Sequence, residues 1–158
     1  MLGDKSIAHR ALILCSWFKG SHLIENLPLN EDVLTTLSAL ESYGLKYVLD
    51  GNNISIDSTK FKFKEADINC NDSGTSARLL CGYLAGAKAK GVIFGSKALS
   101  GRPMRRICDP LNSFGANIES SNGFLPIKIK PSKRSNAFDY DLKIPSAQIK
   151  ASLILYAM

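Results

Sequence analysis

Long apolar runs are missing from this sequence. None reaches the ~18–20 residues that a membrane span requires, so no membrane partner is expected. The start lacks the basic stretch and apolar core of a secretory leader, because Met1 leads straight into Asp4 and Lys5. Both absences predict a cytoplasmic protein. Cysteines are few and badly spaced for metal chemistry. Cys15, Cys70, Cys81 and Cys108 include no C-x-x-C pair, which argues against a zinc or redox site. Cys15, Cys81 and Cys108 fall in apolar helical patterns and read as reduced core thiols. Acidic residues are the minority: 14 Asp and Glu stand against 20 Lys and Arg, for a net charge of +6. A basic excess suits either nucleic acid or small anions. The densest basic run is Lys128, Lys130, Lys133 and Arg134. It alternates with Ile127 and Ile129, the pattern of a solvated strand face. Aromatic residues are not expected to interleave with the basic clusters as stacking platforms would, so no nucleic-acid partner is expected.

The remaining composition is that of a globular domain with a core, since 45% of the 158 residues are hydrophobic and 22% charged. The spacing predicts a helix over residues 6–19 that is apolar nearly all round and therefore buried. Gly20 is its expected stop, and a strand follows at Ser21–Glu25. Asn30 is the expected cap of an amphipathic helix ending at Gly44. Lys46–Asp50 and Ile54–Asp57 flank a turn and predict a hairpin.

This order then recurs. A short strand is expected at Asp67–Cys70 and an apolar helix from Asp72. Val92–Phe94 reads as a strand, and Pro103 as the first residue of an amphipathic helix stopped by Gly115. Ala116–Glu119 and Leu125–Ile129 form a second hairpin. Arg10 and Arg78 lie 68 residues apart, and Gly44 and Gly115 lie 71 apart. A third copy begins at Pro145-Ser146-Ala147-Gln148-Ile149-Lys150. The expected fold class is α/β (α+β), built from helix–strand–helix–hairpin units with buried parallel helices. The units are repeat 1 at about 4–57, repeat 2 at about 67–130 and the start of repeat 3 at about 139–158. Repeats of this kind close a core together, so an intact protein is expected to continue beyond Met158.

Each buried helix opens on small or cationic residues. Gly3-Asp4-Lys5-Ser6-Ile7-Ala8-His9-Arg10 puts an ammonium, a hydroxyl and a guanidinium near free N–H donors and the positive end of a helix dipole. That is an anion site, most naturally for phosphate. Gly74 would let a ligand approach backbone N–H groups closely. Arg102 could clamp a carboxylate or phosphate with two donors. The plainer alternatives are helix capping for Ser6, Ser73 and Ser146, structural pairing for Arg78 and Lys150, and a backbone or packing role for His9. Arg105 and Arg106 read as solvated.

Four stretches resemble signatures of the 5-enolpyruvylshikimate-3-phosphate synthase family. They are Gly3–Leu12, Asn71–Leu80, Arg102-Pro103-Met104-Arg105-Arg106 and Pro145–Lys150, in the family's order. The resemblance implies an enolpyruvyl transferase fold, an inside-out α/β half-barrel, with a second domain absent here. It implies transfer of the enolpyruvyl group from phosphoenolpyruvate to the 5-hydroxyl of shikimate 3-phosphate, in aromatic amino-acid synthesis. The family needs no metal and no organic cofactor. Lys5 would touch both substrates and is the catalytic candidate. Ser6, Arg10, Ser146, Ala147 and Gln148 would join it on shikimate 3-phosphate. Gly74, Arg102 and Gln148 would join it on phosphoenolpyruvate. Carboxylates and a lysine of the other domain would supply much of the proton transfer, so this chain alone is expected to be inactive. The intact enzyme is expected to be a monomer, whereas this piece could self-associate. Two departures stand out: Asp72 where the family usually has Asn, and Leu2 where it usually has Pro. The alternatives are a UDP-N-acetylglucosamine enolpyruvyl transferase and a basic anion- or nucleic-acid-binding repeat module.

Overall fold

Helix formation begins at Asp4, whose carboxylate accepts the Ile7 N–H at 2.8 Å. It caps α1 (Lys5–Trp17) and satisfies one of the helix's open donors. The computed structural model describes residues 3–132, 138–142 and 145–158. They fall into two compact units, Met1–Lys64 and Glu65–Met158.

In the first unit α1 ends earlier than Gly20. Phe18 turns extended, and the buried Ser58 hydroxyl donates to its carbonyl at 2.6 Å. That side chain replaces the glycine stop. The burial expected around α1 is also incomplete. Ala8, His9, Leu12 and Ile13 are buried, but Ile7 is 66% exposed and Phe18 58%. An all-round apolar pattern does not say which side is covered. Strand β1 (Ser21–Ile24), helix α2 (Glu31–Ser42) and the hairpin of β2 (Lys46–Asp50) and β3 (Asn53–Asp57) follow. The sheet order is β1-β3-β2, with β3 antiparallel to both neighbours. Thus β1 and β2 run the same way, split by β3. Asn30 caps α2 by accepting the Val33 N–H at 3.1 Å. At its far end Gly44 takes φ +100. There the Gly44 and Leu45 N–H groups donate to the Glu41 and Leu40 carbonyls at 2.7 and 3.1 Å, a glycine-dependent helix ending.

The second unit contains β4 (Ile68–Asn69), α3 (Gly74–Gly86), β5 (Gly91–Phe94), α4 (Lys97–Ser100) and α5 (Arg105–Ser113). β6 (Asn117–Ser121), β7 (Phe124–Lys130) and α6 (Ala147–Ala157) complete it. Its sheet runs β4-β5-β7-β6. The last three strands repeat the arrangement of the first unit, and β4 adds a parallel edge. The helix ending also repeats: Gly115 and Ala116 donate to Asn112 and Leu111, each at 3.0 Å. Pro126 sits in a central strand without an amide donor. The ladder accommodates it because the β6–β7 register shifts between Ser120 and Ser121.

Pro103 does not open α5. The short helix α4 intervenes, Met104 is the cap position, and its N–H donates to the Gly123 carbonyl at 2.8 Å. The hairpin turn holds that amide, which delays the helix to Arg105. Lys128 lies on the exposed face of β7 as its alternation predicts, and Lys130 pairs with Glu119 at 2.5 Å. Lys133 and Arg134 lie outside the described residues. All four cysteines are free thiols, three of them buried, and burial pushes Cys70 up to about 12. Among the described residues no helix is long and apolar enough to cross a membrane.

Helix α3 is buried on every side, and α6 lies beside it, parallel and in step. Arg78 meets Gln148. A Cβ built on Gly82 would lie 2.1 Å from the Ser152 carbonyl oxygen, and one on Gly86 would lie 2.7 Å from that of Tyr156. Each pairing spans 70 residues. The two backbones therefore approach at a Gly-x-x-x-Gly edge where no side chain fits.

Candidate anion sites at the helix starts

At the first site, α1 and α2 stand side by side. Lys5 Nζ pairs with Asp32, and one turn further along His9 Nδ1 meets Thr36 Oγ1 at 2.7 Å. Both pairs span 27 residues, so the two helices start together and run the same way. His9 is fully buried, and its Nε2 has no hydrogen-bond partner. Burial lowers its pKa to about 4; Asp32 opposes this, while Lys5 and Arg10 add to it. The ring is therefore neutral near pH 7 and ties α1 to α2, which favours the packing role. Asp4, not Ser6, is the cap, and this leaves Ser6 exposed on the first turn. Arg10 folds back so that Nη1 donates to the Ser6 carbonyl at 3.0 Å.

The second unit repeats that fold-back. Arg78 Nη1 donates to the Gly74 carbonyl at 3.3 Å and to Gln148 Oε1 at 3.1 Å. Gln148 Nε2 in turn donates to Thr75 Oγ1 at 3.3 Å, so both ends of its amide are held. A Cβ on Gly74 would lie 2.7 Å from Arg78 Nη1 and 3.3 Å from Arg102 Nη1. Gly74 is thus the floor beneath two guanidinium groups. Burial lowers the Arg78 pKa, and the charges of Arg102 and Arg106 lower it further. Among the described residues no carboxylate forms an ion pair with any of the three. The Asp72 carboxylate instead accepts a hydrogen bond from Ser96 Oγ. Such a cluster of uncompensated cations at the start of a buried helix attracts an anion strongly.

The structure thus brings Gly74, Arg102 and Gln148 together in the second unit, and Lys5, Ser6 and Arg10 in the first. Ser73 and Ser146 cap α3 and α6, their plainer role, and Ala147 is the first residue of α6. The sequence reading missed Arg78 as the group that joins Gly74 to Gln148, and it missed Thr75. It read Arg106 as simply solvated, although this exposed residue is close enough to act on Arg78. The matching positions of Arg10 and Arg78, each four residues after a helix start, were the available signal.

The family model for EPSP synthase (3-phosphoshikimate 1-carboxyvinyltransferase) matches residues 1–158. The chain belongs to the EPSP synthase family. It is 42% identical to the 3-phosphoshikimate 1-carboxyvinyltransferase of Clostridium tetani over 156 residues, covering 97% of this chain and 36% of that protein. The same enzyme of Lactococcus lactis subsp. cremoris (strain MG1363) is 39% identical over 161 residues, covering 99% and 37%. A solved EPSP synthase structure from Acinetobacter baumannii superposes with a TM-score of 0.91 at 31% identity, covering 98% of this chain and 36% of that one. The α/β fold is therefore that of the EPSP synthase family, and the chain spans little more than a third of the length of these relatives.

Proposed function

We propose that this chain supplies the anion-holding part of a site that transfers the enolpyruvyl group of phosphoenolpyruvate to the 5-hydroxyl of shikimate 3-phosphate, releasing phosphate. The observation that carries this reading is the arginine cluster over Gly74. Arg78 and Arg102 stand without carboxylate partners, and Gln148 is oriented by Arg78 and Thr75. Gly74, Arg102, Gln148 and Lys5 hold phosphoenolpyruvate, and Lys5, Ser6, Arg10, Ser146, Ala147 and Gln148 hold shikimate 3-phosphate. These cations position substrates and neutralise their charge. Lys5 is the catalytic candidate because it would touch both substrates.

The reaction also moves a proton onto the vinyl carbon and another off the 5-hydroxyl. A second domain contributes groups for those steps, so the 158 residues alone bind but do not turn over. In this reading residues 4–57 and 67–130 are two full repeats and 139–158 begin a third, with their helix starts facing one cleft. The intact enzyme works as a cytoplasmic monomer in aromatic amino-acid synthesis.

Calorimetric titration of this chain with shikimate 3-phosphate and with phosphoenolpyruvate tests the assignment. Arg102→Gln and Gln148→Ala should weaken phosphoenolpyruvate binding by about tenfold or more, as loss of a charged or bidentate contact does. Arg10→Gln should weaken shikimate 3-phosphate binding instead. Unchanged affinities in folded variants would reject the residue roles. Phosphate release by the intact protein with shikimate 3-phosphate, compared with UDP-N-acetylglucosamine, tests the acceptor.

A further inference from the structure

Residues 60–64 read Lys-Phe-Lys-Phe-Lys. Here aromatic residues do interleave with a basic cluster, against the expectation stated above. The structure gives the alternation a different purpose. Phe61 is buried and meets the edge of Phe63 at 4.9 Å between centroids. Phe63 in turn meets the edge of Tyr43 at 5.4 Å, and Lys19 Nζ donates to the Phe61 carbonyl. The rings turn inward and anchor the strap, which leaves Lys60, Lys62 and Lys64 exposed.

Lys46 of β2 joins these three around a cleft of about 350 Å³, with Gly44 and Asp57 also in its wall. Lys64 lies across Gly44, where a Cβ would stand 3.6 Å from its Cε. Asp57 is the only carboxylate in that wall. Its charge is held first by the Thr59 hydroxyl and N–H, then by nearby Lys60 and Lys46, which keep its pKa below the usual carboxylate range. Among the described residues none of the four lysines forms an ion pair, whereas Lys5, Lys90 and Lys130 all do.

The geometry points to a second anion site in this cleft, one that takes a small polyphosphate group such as a linear triphosphate. Four ammonium groups facing one carboxylate leave a strong positive excess. Lysines on flexible stems bind phosphates as point charges without a fixed fork. The cleft volume falls at the small-molecule end of the pocket range. The buried rings offer no stacking face, so a single-stranded nucleic acid is not the ligand. The site is separate from the one at Lys5. Lys19, which holds the strap, follows the far end of α1, and the twelve steps from Lys5 to Trp17 cover about 18 Å of helix.

An amide NMR titration of this chain with inorganic tripolyphosphate at about 0.15 M salt, where exposed charges are screened beyond roughly 8 Å, tests the proposal. Saturable shifts are expected at Gly44, Lys46 and residues 60–64, with an affinity at least about tenfold tighter than for orthophosphate. The triple variant Lys60→Gln, Lys62→Gln, Lys64→Gln should lose about tenfold or more in affinity. Lys5→Gln and Arg102→Gln should leave these shifts unchanged, which separates this cleft from the proposed substrate site. Shifts spread over all lysines without saturation would overturn the proposal. An oligo-glutamate peptide or an oligonucleotide binding as tightly as tripolyphosphate would overturn it too.

Discussion

Helices α1 and α3 hold the same place in their units, 68 residues apart, and share one device. In each, an arginine four residues inside folds back onto the carbonyl at the helix start, at 3.0 and 3.3 Å. Elsewhere they diverge. Buried His9 of α1 corresponds to buried Ala77 of α3. Leu14 and Phe18, both exposed, correspond to Gly82 and Gly86, which press against the backbone of α6. The first site contains a carboxylate, Asp32 beside Lys5. The second has only cations over Gly74. A repeated scaffold thus keeps the fold-back that presents the helix start, while the electrostatics and the packing behind it vary. The first site balances its charge internally, and the second leaves its charge for a ligand.

The packing contrast gives the largest expected effect. Gly82→Ala should destabilise the second unit by about 3 kcal/mol or more, because the new methyl meets main chain that cannot turn aside. Leu14→Ala, at the matching place, should cost about 1 kcal/mol or less, since that side chain is already partly in water. Urea unfolding followed by amide signals of each unit distinguishes the two. Equal losses would show that the correspondence of the helices is wrong.

A second contrast concerns pH. His9 has a folded pKa of about 4, below its unfolded value of ~6.5. The unfolded chain therefore binds the proton first, and stability falls as pH drops from about 6.5 towards 4. By pH 5 the first unit should have lost roughly 2 kcal/mol, from a depression worth about 1.4 kcal/mol per pH unit. His9→Ala should flatten that dependence, at the cost of a cavity. The second unit, with Ala77 in that place, should lack this component. A pH profile of the first unit identical in wild type and His9→Ala would refute the assignment.

The smallest expected effect sharpens the comparison at the caps. Asp4→Ala and Ser73→Ala should each cost about 1 kcal/mol. Asp4 is exposed and Ser73 buried, bonded to Ser76 Oγ at 2.7 Å as well as to the Ser76 N–H. Ser73→Ala should therefore be the costlier of the two, because it also strands a buried hydroxyl. Thermal melts of the two variants, compared unit by unit, measure the difference.

Features that depend on neighbours along the chain were legible in the sequence. The Asn30 cap, the paired stops at Gly44 and Gly115 and both hairpins follow from residue types a few positions apart. Arg10 and Arg78 were visible as a repeated cation, and Lys5, Gly74, Arg102 and Gln148 as family motifs. Features set by distant partners were not. The end of α1 depends on Ser58, 40 residues away from Phe18. The delay of α5 past Pro103 depends on Gly123. Gly82 and Gly86 read locally as weak spots in a helix and became meaningful only against α6. The Lys-Phe alternation at 60–64 pointed to a stacking surface until Tyr43 was seen to be where the rings go.

The edge where Gly82 and Gly86 meet Ser152 and Tyr156 has main chain on both sides. Side chains adjust to small errors by changing rotamer, but a backbone seam has no such slack. Helices α3 and α6 therefore cannot drift past one another by a fraction of a turn. Arg78 and Gln148 sit one turn up from that seam on opposite helices, and it acts for them as a gauge block does in a machine shop. It sets the spacing between two working parts and touches no workpiece itself.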